Sequence, residues 1–418
     1  MKGDGKMRIG EFAQKHNTTH DTIRHYLDMG LLITEKKGGH YRFDESDSWD
    51  LENIIELKSM GFSLSEIQEL LCYHRLAGDM TIEYRKYYLS LLEDKKKDFE
   101  EKIEKYKTMG TFISDKIMKL QLDEDKLSKL GLPLSSIEII KCPYCGSIME
   151  IFNGIIEKSM IMAGKIKCKC GFIASIENGI YVDEKAVKEK KLNSKTMPTK
   201  KEFLNAASPK FINFYYNGMA KSIDYILRYT KEPKYILELD HCVGSFLMQY
   251  IKNLPKDSTY ILVCYDKDRL TNIKTNIEFH YSHSNFIFLC CDVDRLPIGN
   301  SSVDLIIDHG MTKIYAETED KSLPIICSSL MKENGILVGT YHYFDKKSKD
   351  FESLLPKKKE VYNREKNLER LEDASFEKLE ITDIGPIIEN NPFNLDIRNR
   401  ELYMTVYAGR KKGNETLG

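Results

Sequence analysis

The chain has 418 residues, of which 41% are hydrophobic and 30% charged, and its formal net charge is −1 at pH 7. This length has room for about two to four domains, and the near-zero charge favours neither a general polyanion binder nor a membrane-surface protein. No segment approaches the ~18 apolar residues of a membrane span, and the start lacks the apolar core of a secretory signal. We therefore expect a cytoplasmic protein with no membrane partner, in which the ten cysteines are thiols or metal ligands rather than disulfides.

Residues 1–80 predict a winged helix-turn-helix, in which two short helices precede a hairpin. A break at residues 16–17 separates the helices, and Thr18 or Thr19 can cap the second one. Residues 36–42 predict a hairpin turned by glycines, which would be the wing. The apolar inner face of the two helices would consist of Ile9, Phe12, Ala13, Ile23 and Leu27.

Polar side chains of the second helix and the wing are the candidate DNA contacts. The helix would face a groove, and the wing would lie near phosphates. Residues 1–60 contain 9 Lys and Arg against 11 Asp and Glu, so binding would depend on local cations, as in a specific regulator rather than an architectural protein. The candidates are His20, Arg24, His25, Tyr26, Lys36, Lys37, Tyr41 and Arg42.

Five blocks of this head resemble the MerR family of transcription regulators. The blocks are MRIGE (7–11), TIRHY (22–26), MGLL (29–32), YRFD (41–44) and MGFS (60–63). The resemblance implies a dimer that distorts promoter DNA, with RNA polymerase as an indirect partner at the promoter. It also implies contacts of Arg24, Tyr26 and Arg42 with the DNA backbone, whereas His25 stands where the family usually has tyrosine. The alternative is a three-helix fragment used only for protein contacts.

Residues 81–131 predict a long helix that pairs with a second helix. Its apolar residues recur at steps of three and four, with Lys96 and Gly110 as exceptions, and Gly131 and Pro133 would end it. A lone helix cannot bury such a seam, so we expect a homodimer through a coiled coil. The MerR resemblance implies an antiparallel helix pair here; the alternative is packing on the chain's own effector domain. The seam consists of Leu89, Leu92, Phe99, Ile103, Tyr106, Ile113, Ile117 and Leu120.

Residues 136–186 predict a small zinc ribbon. Cys142 and Cys145 have the two-residue knuckle spacing that lets thiolates converge on tetrahedral Zn²⁺. Cys168 and Cys170 are separated by one residue only, yet alternate residues of a strand project to the same side, so both sulfurs can reach one ion. Four thiolates leave no open coordination position, so the metal would be structural. The alternative is a degenerate ribbon with buried or oxidisable thiols.

Residues 187–418, which begin with a polar linker at 188–195, predict an α/β domain. Short apolar runs, most of them ending near an acid, alternate with helix-length segments, as in a parallel sheet covered on both faces. A ligand crevice would lie at the strand ends. The predicted strands are 234–239, 260–266, 286–292, 303–308 and 335–341, followed by a late hairpin of 379–384 and 402–407.

This domain resembles class I S-adenosylmethionine-dependent methyltransferases, with the best block at residues 291–304. The resemblance implies a Rossmann-like methyltransferase fold. It also implies a cofactor site containing Glu238 and Gly244, with Asp266 on the ribose hydroxyls and Asp292 on the adenine amine. A zinc ribbon directly before such a domain also resembles the bacterial rRNA guanine methyltransferases.

The turn after the first strand departs from the methyltransferase pattern. Only Gly244 stands at a family glycine position, while Asp240 and Cys242 occupy the other two. Side chains there cost conformational freedom and push a ligand away from the backbone, so the site for S-adenosylmethionine would be altered, weak or lost. Asp308-His309 and Tyr341-His342 are the candidate catalytic residues, since a histidine at a strand end can serve as a general base.

The expected fold class is thus multidomain α and α/β: winged helix-turn-helix, coiled-coil helix, zinc ribbon and Rossmann-like methyltransferase fold. The expected function is a MerR-like dimeric transcription regulator whose C-terminal module binds a small-molecule effector. Coupling would operate through differential affinity for two arrangements of the dimer. The competing hypotheses are an active methyltransferase acting on a small molecule or nucleic acid, and a fold kept for assembly alone.

Overall fold

The computed structural model describes residues 6–78, 81–121, 129–187, 200–240, 243–281, 285–318, 322–390 and 396–413. The chain forms two compact units, Met1–Gln121 and Leu122–Gly418. The predicted linker at 188–195 lies outside the described residues.

The N-terminal unit is a winged helix-turn-helix followed by a long helix. Its two strands pair antiparallel, with Lys36 opposite Tyr41. The elements are α1 Ile9–Lys15, α2 His20–Asp28, β1 Glu35–Lys37, β2 His40–Arg42, α3 Glu45–Ser59, α4 Leu64–Ala77 and α5 Ile82–Leu120.

Side-chain caps start the helices where the sequence indicates. Thr19 accepts a hydrogen bond from the Thr22 amide and begins α2, which leaves Thr18 outside the cap. Ser63 and Glu66 form a reciprocal capping box at α4. Between the helices, Phe12 stacks on Phe43 with ring centroids 4.2 Å apart. The head therefore has a core of its own, to which α1, α2, α3 and α4 contribute buried residues.

Helix α5 contains no buried residue over its 39 positions. Its first turns pack on the head through Tyr84, Tyr88 and Leu92. Lys95 then pairs with Glu66 at 2.7 Å. This contact, together with the hydrogen bonds that Glu66 accepts from Ser63, lowers the pKa of Glu66 to about 2. The helix ends at Leu120, before the predicted terminators at 131 and 133, and residues 122–128 lie outside the described part.

The C-terminal unit is built on one 12-stranded sheet. Its strands are β3 Leu132–Pro133, β4 Glu150–Glu157, β5 Met160–Lys167, β6 Ile173–Glu177, β7 Ile180–Val182, β8 Tyr235–Asp240, β9 Thr259–Val263, β10 Asn285–Cys290, β11 Val303–His309, β12 Met331–Tyr343, β13 Phe376–Ile388 and β14 Glu401–Lys411. Its helices are α6 Lys200–Ala206, α7 Pro209–Tyr229, α8 Ser245–Tyr250, α9 Lys267–His280, α10 Met311–Thr318, α11 Leu323–Leu330, α12 Lys349–Glu352, α13 Pro356–Val361 and α14 Arg364–Asp373.

The strand order of the larger part of this sheet defines its fold. The order is β13-β14-β12-β11-β8-β9-β10, in which β8 to β12 run parallel and β14 runs antiparallel to its neighbours. The order reverses between β8 and β11, which is where doubly wound sheets bind ligands. The predicted Rossmann-like methyltransferase fold is confirmed, and the predicted late hairpin is β13 and β14.

The cysteine-rich ribbon continues this sheet rather than standing beside it. Strand β7 pairs parallel with β10, with Tyr181 opposite Leu289, and β6 and β5 follow in antiparallel order. Tyr181 is fully buried in the same core cluster as Leu289. The ribbon and the methyltransferase-like sheet therefore share one hydrophobic layer.

None of the helices in the described ranges combines the length and the apolar character needed to cross a bilayer.

Candidate functional site

Helix α2 presents three of the candidate DNA contacts to solvent. His20, Arg24 and His25 are exposed, whereas Ile23 on the opposite side of the helix is buried. The nearest carboxylate to Arg24 is Asp21, at 3.8 Å, and the arginine side chain is still 63% exposed. The outer face of α2 can therefore approach DNA without disturbing the core.

The wing adds a second cationic group. Lys36 and Lys37 are exposed on β1, and Tyr41 and Arg42 are half-buried on β2. The Lys36 ammonium lies 5.1 Å from the centre of the Tyr41 ring, so the pair forms a cation–π contact across the hairpin. Charged and aromatic groups at a hairpin tip suit contact with phosphate oxygens.

Tyr26 differs from the other candidates because it is only 3% exposed and belongs to the head core. Its hydroxyl accepts a hydrogen bond from Lys58 at 3.1 Å. Lys58 is exposed on α3, and no motif in the sequence indicates it. Tyr26 can therefore act at the surface only through its hydroxyl, beside a lysine that the fold brings to it.

The second half of α5 carries an exposed apolar seam. Residues along it are between 40% and 69% exposed, although all are large and apolar. The seam follows the heptad steps predicted from the sequence. Its first residue, Phe99, lies beside Gly61 of the head, and the others are more than half exposed among the described residues. It consists of Phe99, Ile103, Tyr106, Ile113, Ile117 and Leu120, with Phe112 beside it.

Four cysteine sulfurs converge at the end of the ribbon. The Sγ atoms of Cys142, Cys145, Cys168 and Cys170 all lie within 4.8 Å of one another. The Cys142–Cys170 and Cys145–Cys168 pairs are 3.5 and 3.4 Å apart. Tetrahedral Zn²⁺ with Zn–S bonds of about 2.3 Å sets its sulfurs about 3.8 Å apart, so the cluster has the size and the ligand chemistry of a metal site.

The one-residue spacing of the second cysteine pair still produces a turn like the first. The Gly146 amide donates to the carbonyl of Cys142, and the Gly171 amide donates to that of Cys168, at 2.9 and 3.0 Å. Both glycines have positive φ, at 68° and 96°, where other residues would be strained. The glycine after each pair therefore closes the turn irrespective of the cysteine spacing.

Glu238 is a residue of β8 whose carboxylate bonds the segment that follows this strand. It is 1% exposed, and its carboxylate accepts hydrogen bonds from the amides of Gly244 and Leu247 at 2.8 and 3.0 Å. The hydroxyl of Tyr260 donates to the same carboxylate at 2.6 Å. The carboxylate therefore satisfies amides at the start of α8 and ties β9 to this turn.

Two other predicted cofactor residues also have contacts within the fold. Gly244 has φ 78°, and a Cβ atom there would lie 2.5 Å from Ile273 of α9. Asp266 caps α9, with its Oδ1 accepting from the amides of Asp268 and Arg269. Asp292 is half-buried beyond β10. The structure thus gathers all four predicted cofactor residues around the ends of β8, β9 and β10.

The two residues that replace family glycines in the turn after β8 are only partly described. Cys242 lies outside the described residues, and for Asp240 the backbone alone is described, as the last residue of β8. His309 lies opposite Asp240 in the sheet register, at the point where the strand order reverses.

The candidate catalytic histidines lie in a buried aromatic cluster. His309 Nδ1 is 2.8 Å from the hydroxyl of Thr340. His342 packs edge-on against Tyr215 of α7, with ring centroids 5.3 Å apart, and stacks on Phe214. Burial lowers the pKa of His342 well below its usual range, so its imidazole is neutral near pH 7. No motif in the sequence predicted the α7 aromatics.

Asp308 and Tyr341 point to the other face of the sheet. The Asp308 carboxylate accepts from the amides of Met311 and Thr312 and from the Thr312 hydroxyl, and so begins α10. Burial raises its pKa to about 6. Tyr341 is buried among the apolar side chains on this face. Asp308 and Tyr341 are therefore separated by the sheet from His309 and His342.

Comparison with known proteins identifies the N-terminal part. Residues 7–73 match the family described as MerR HTH family regulatory protein. The HTH-type transcriptional regulator YfmP of Bacillus subtilis is 32% identical over 127 residues, which cover 87% of that protein and 29% of this chain. The chain belongs to the MerR family.

Other MerR relatives match over shorter stretches. ZntR of Escherichia coli is 41% identical over 66 residues, which cover 47% of that protein, and NolA of Bradyrhizobium elkanii is 36% identical over 30% of its length. The chain thus spans half or less of these two regulators. The MerR similarity accounts for the DNA-binding function of the head and for no more than 29% of the chain.

Solved structures similar to this MerR protein include several methyltransferases. A putative methyltransferase from Bacillus halodurans has a TM-score of 0.35 at 12% identity, covering 47% of this chain and 99% of that one. The N-methyltransferase NodS of Bradyrhizobium japonicum has a TM-score of 0.35 at 11% identity, covering 48% and 98%. The fold assignment itself depends on the strand order described above.

Proposed function

We propose that this MerR protein is a homodimeric promoter-binding regulator whose C-terminal ribbon and methyltransferase-like sheet form the effector-binding module. The observation that carries the proposal is that the N-terminal unit has two exposed surfaces. One is the cationic surface of the head, and the other is the apolar seam on the helix that follows it. Both features need a partner, DNA for the first and a second helix for the second.

The seam supports the dimer. Full burial of a Leu, Ile or Phe side chain contributes about 1.5–3 kcal/mol. Five such side chains on or beside the seam are more than half exposed, namely Ile103, Phe112, Ile113, Ile117 and Leu120. A second copy of α5 presents an identical seam, so antiparallel pairing would bury both at once. YfmP, to which 127 residues of this chain are similar, is itself named as an HTH-type transcriptional regulator.

The dimer is tested by sedimentation with Ile113→Glu, which would place a charge in the seam. We expect monomers, because an unpaired buried carboxylate is strongly unfavourable in an apolar interface. Thr108→Glu adds the same charge off the seam, and we expect it to leave the dimer intact. Equal dimerisation of both variants would contradict this interface.

DNA binding is tested with duplexes that the purified protein selects from a random pool. Arg24→Ala and Arg42→Ala should each weaken binding about uniformly across sequences and reduce the salt slope by about 1, as expected for one lost phosphate contact. Lys357→Ala, an exposed lysine on α13, is the control. Unchanged affinity and salt slope in both arginine variants would refute the assignment of these contacts.

We further propose that the four-cysteine cluster holds a structural Zn²⁺. Tetrahedral thiolate coordination would link the turn before β4 to the turn after β5, and no position would remain for a substrate. Because the ribbon strands extend the larger sheet, the metal would stabilise that edge of the effector module.

For the C-terminal module we favour ligand sensing over methyl transfer. Glu238, Gly244 and Asp266 already have structural contacts within the fold, and two glycine positions of the turn carry Asp240 and Cys242. One observation favours the alternative, an active methyltransferase: the His342 Nε2 atom is buried with no hydrogen-bond partner among the described residues. A neutral imidazole near the strand ends could accept a proton from a methyl acceptor.

Calorimetry with S-adenosylmethionine and S-adenosylhomocysteine on zinc-replete protein distinguishes the two. Binding that is lost in Asp292→Ala would support a working cofactor site and a search for the acceptor. Absence of binding to the unmodified protein would leave the sensing function with some other ligand.

A further inference from the structure

A cleft of about 400 Å³ lies beyond the carboxyl end of β12. The end of β12, the loop that follows it, the start of α14 and Tyr403 of β14 line the cleft. Its volume is within the range of pockets that bind small organic molecules. None of the predicted site residues lines it.

A pair of tyrosines forms the aromatic part of the lining. Tyr343 and Tyr403 are opposite each other in the β12–β14 register, and their rings stack with centroids 5.2 Å apart and planes 21° apart. Both are only partly buried, so ring surface stays available to a ligand. Burial raises the pKa of Tyr343 to about 12, so its hydroxyl stays protonated, and it interacts with Asp383. Flat aromatic ligands favour such surfaces.

The position of this aromatic pair is fixed by charge contacts in the cleft wall, where Arg364 is itself a lining residue. The Arg364 guanidinium lies 6.0 Å from the centre of the Tyr343 ring. It makes two hydrogen bonds to the carboxylate of Asp383, at 3.1 and 2.9 Å, and Thr405 donates to the same carboxylate at 2.6 Å. The bidentate pair neutralises Arg364 and holds α14 against β13. This part of the cleft wall is therefore pre-formed without a ligand.

Two lysines give the cleft its available positive charge. Lys346 and Lys347 are exposed in the loop and have no ion pair with a residue that the structure describes. The acid in the same loop, Asp345, accepts a hydrogen bond from the Lys347 amide, which directs one carboxylate oxygen to the loop itself. Glu365 is exposed on the first turn of α14. That turn also contributes the partial positive charge of a ten-residue helix N-terminus.

The cleft is separate from the predicted methyl-donor crevice. Side chains alternate along a strand, so Tyr343 points to the same face of β12 as Tyr341, while His342 points to the other. Tyr341 packs in the core cluster that contains α14, and His342 packs on Phe214 of α7. Tyr343 of the cleft and the candidate base His342 therefore lie on opposite faces of β12, and the predicted cofactor residues do not line the cleft.

We propose that this cleft binds a small aromatic anion and is the effector site of the regulator. The effector role depends on the function proposed above; binding of the anion does not. The aromatic ring would pack on Tyr343 and Tyr403, and the anionic group would meet Lys346 and Lys347. Aromatic carboxylates and nucleoside monophosphates both have this chemistry.

Calorimetry on the full-length, zinc-replete protein tests the proposal with two matched probe pairs. The first is 2-naphthoate with its neutral counterpart 2-naphthalenemethanol, and the second is adenosine monophosphate with adenosine. We expect one anion to bind about tenfold or more tightly than its neutral partner, and the pair that responds distinguishes a carboxylate from a nucleotide.

Variants connect that binding to the cleft. Lys346→Gln with Lys347→Gln should weaken anion binding about tenfold, and Tyr403→Leu should weaken both members of the responding pair. The double variant Lys349→Gln with Lys357→Gln removes the same charge from exposed lysines that do not line the cleft, and should leave affinity unchanged.

Three results would overturn the proposal: no binding of either anion at millimolar concentration, equal binding of anion and neutral probe, or equal losses in the cleft and control variants. None of these involves DNA. The regulator function is tested separately by promoter binding with Arg24→Ala and Arg42→Ala, so the two proposals can fail independently.

Discussion

Replacing Glu238 by glutamine distinguishes a structural carboxylate from a cofactor ligand. The side chain is 1% exposed and accepts from the amides of Gly244 and Leu247 and from the Tyr260 hydroxyl. A glutamine keeps the shape but turns one acceptor into a donor. In its best orientation the new amide group faces the Gly244 amide, which then loses its partner.

The cost can be worked from these contacts. One buried amide without a partner costs about 1–3 kcal/mol, and the two remaining bonds lose the strengthening that a charged acceptor gives. We expect Glu238→Gln to lower the unfolding free energy of the C-terminal unit by about 2–4 kcal/mol. At about 2–4 °C per kcal/mol for a large domain, its melting temperature would fall by about 4–16 °C.

The assay is thermal unfolding followed by circular dichroism in the absence of any cofactor. Amide hydrogen exchange of the peptide containing Leu247 localises the change, and peptides from the N-terminal head should keep their protection. Tyr260→Phe is the graded control, because it removes one donor and should cost about 1 kcal/mol.

The reasoning would be refuted if Glu238→Gln melted within about 1 °C of the unmodified protein. A residue that serves only to bind a cofactor contributes nothing to stability when the cofactor is absent. That result would therefore support a cofactor-binding role for Glu238.

Three further predictions concern the turn, the sheet and the ribbon. Gly244 has φ 78°, and a Cβ there would lie 2.5 Å from an α9 side chain, so Gly244→Ala should lower the free energy of unfolding in urea by about 2–4 kcal/mol. Gly310 has φ 79° but open space around it, so Gly310→Ala should lower it by about 1 kcal/mol. Because Asp308 has a folded pKa of about 6 against a usual 3.8, the folded state binds more protons and the unfolding free energy should fall as pH rises from about 4 to 6. Asp308→Asn should flatten that fall, and an unchanged pH profile would disprove the assignment. Cys145→Ser should abolish retention of one zinc equivalent in dialysed protein measured by mass spectrometry, while Cys72→Ser, an exposed cysteine of α4, should retain it.

Much of the fold could be predicted from the sequence because the relevant signals are local. The Thr19 cap, the heptad steps of α5 and the buried parallel strands each depend on residues a few positions apart. The cysteine pairs likewise indicate a metal site, although only the structure brings the two pairs together across 23 residues or more of chain.

Other features depended on long-range packing. No local pattern indicates that Tyr26 is buried with Lys58 on its hydroxyl, since the pair is separated by 32 residues. Nor does it indicate that the ribbon strand β7 joins β10, because strand pairing is decided by which edges the folded layers leave free.

The sequence by itself indicated the DNA-binding head, the apolar seam of α5, the cysteine pairs and the acids at the strand ends. Only the tertiary structure decided what those acids do. The Glu238 carboxylate accepts a hydrogen bond from the Gly244 amide, and the Asp266 carboxylate caps the start of α9. It also created the cleft of Tyr343, Tyr403 and the loop lysines. The physical reason is that a side chain's role depends on the donors, charges and surfaces that surround it, and those come from segments distant in the chain.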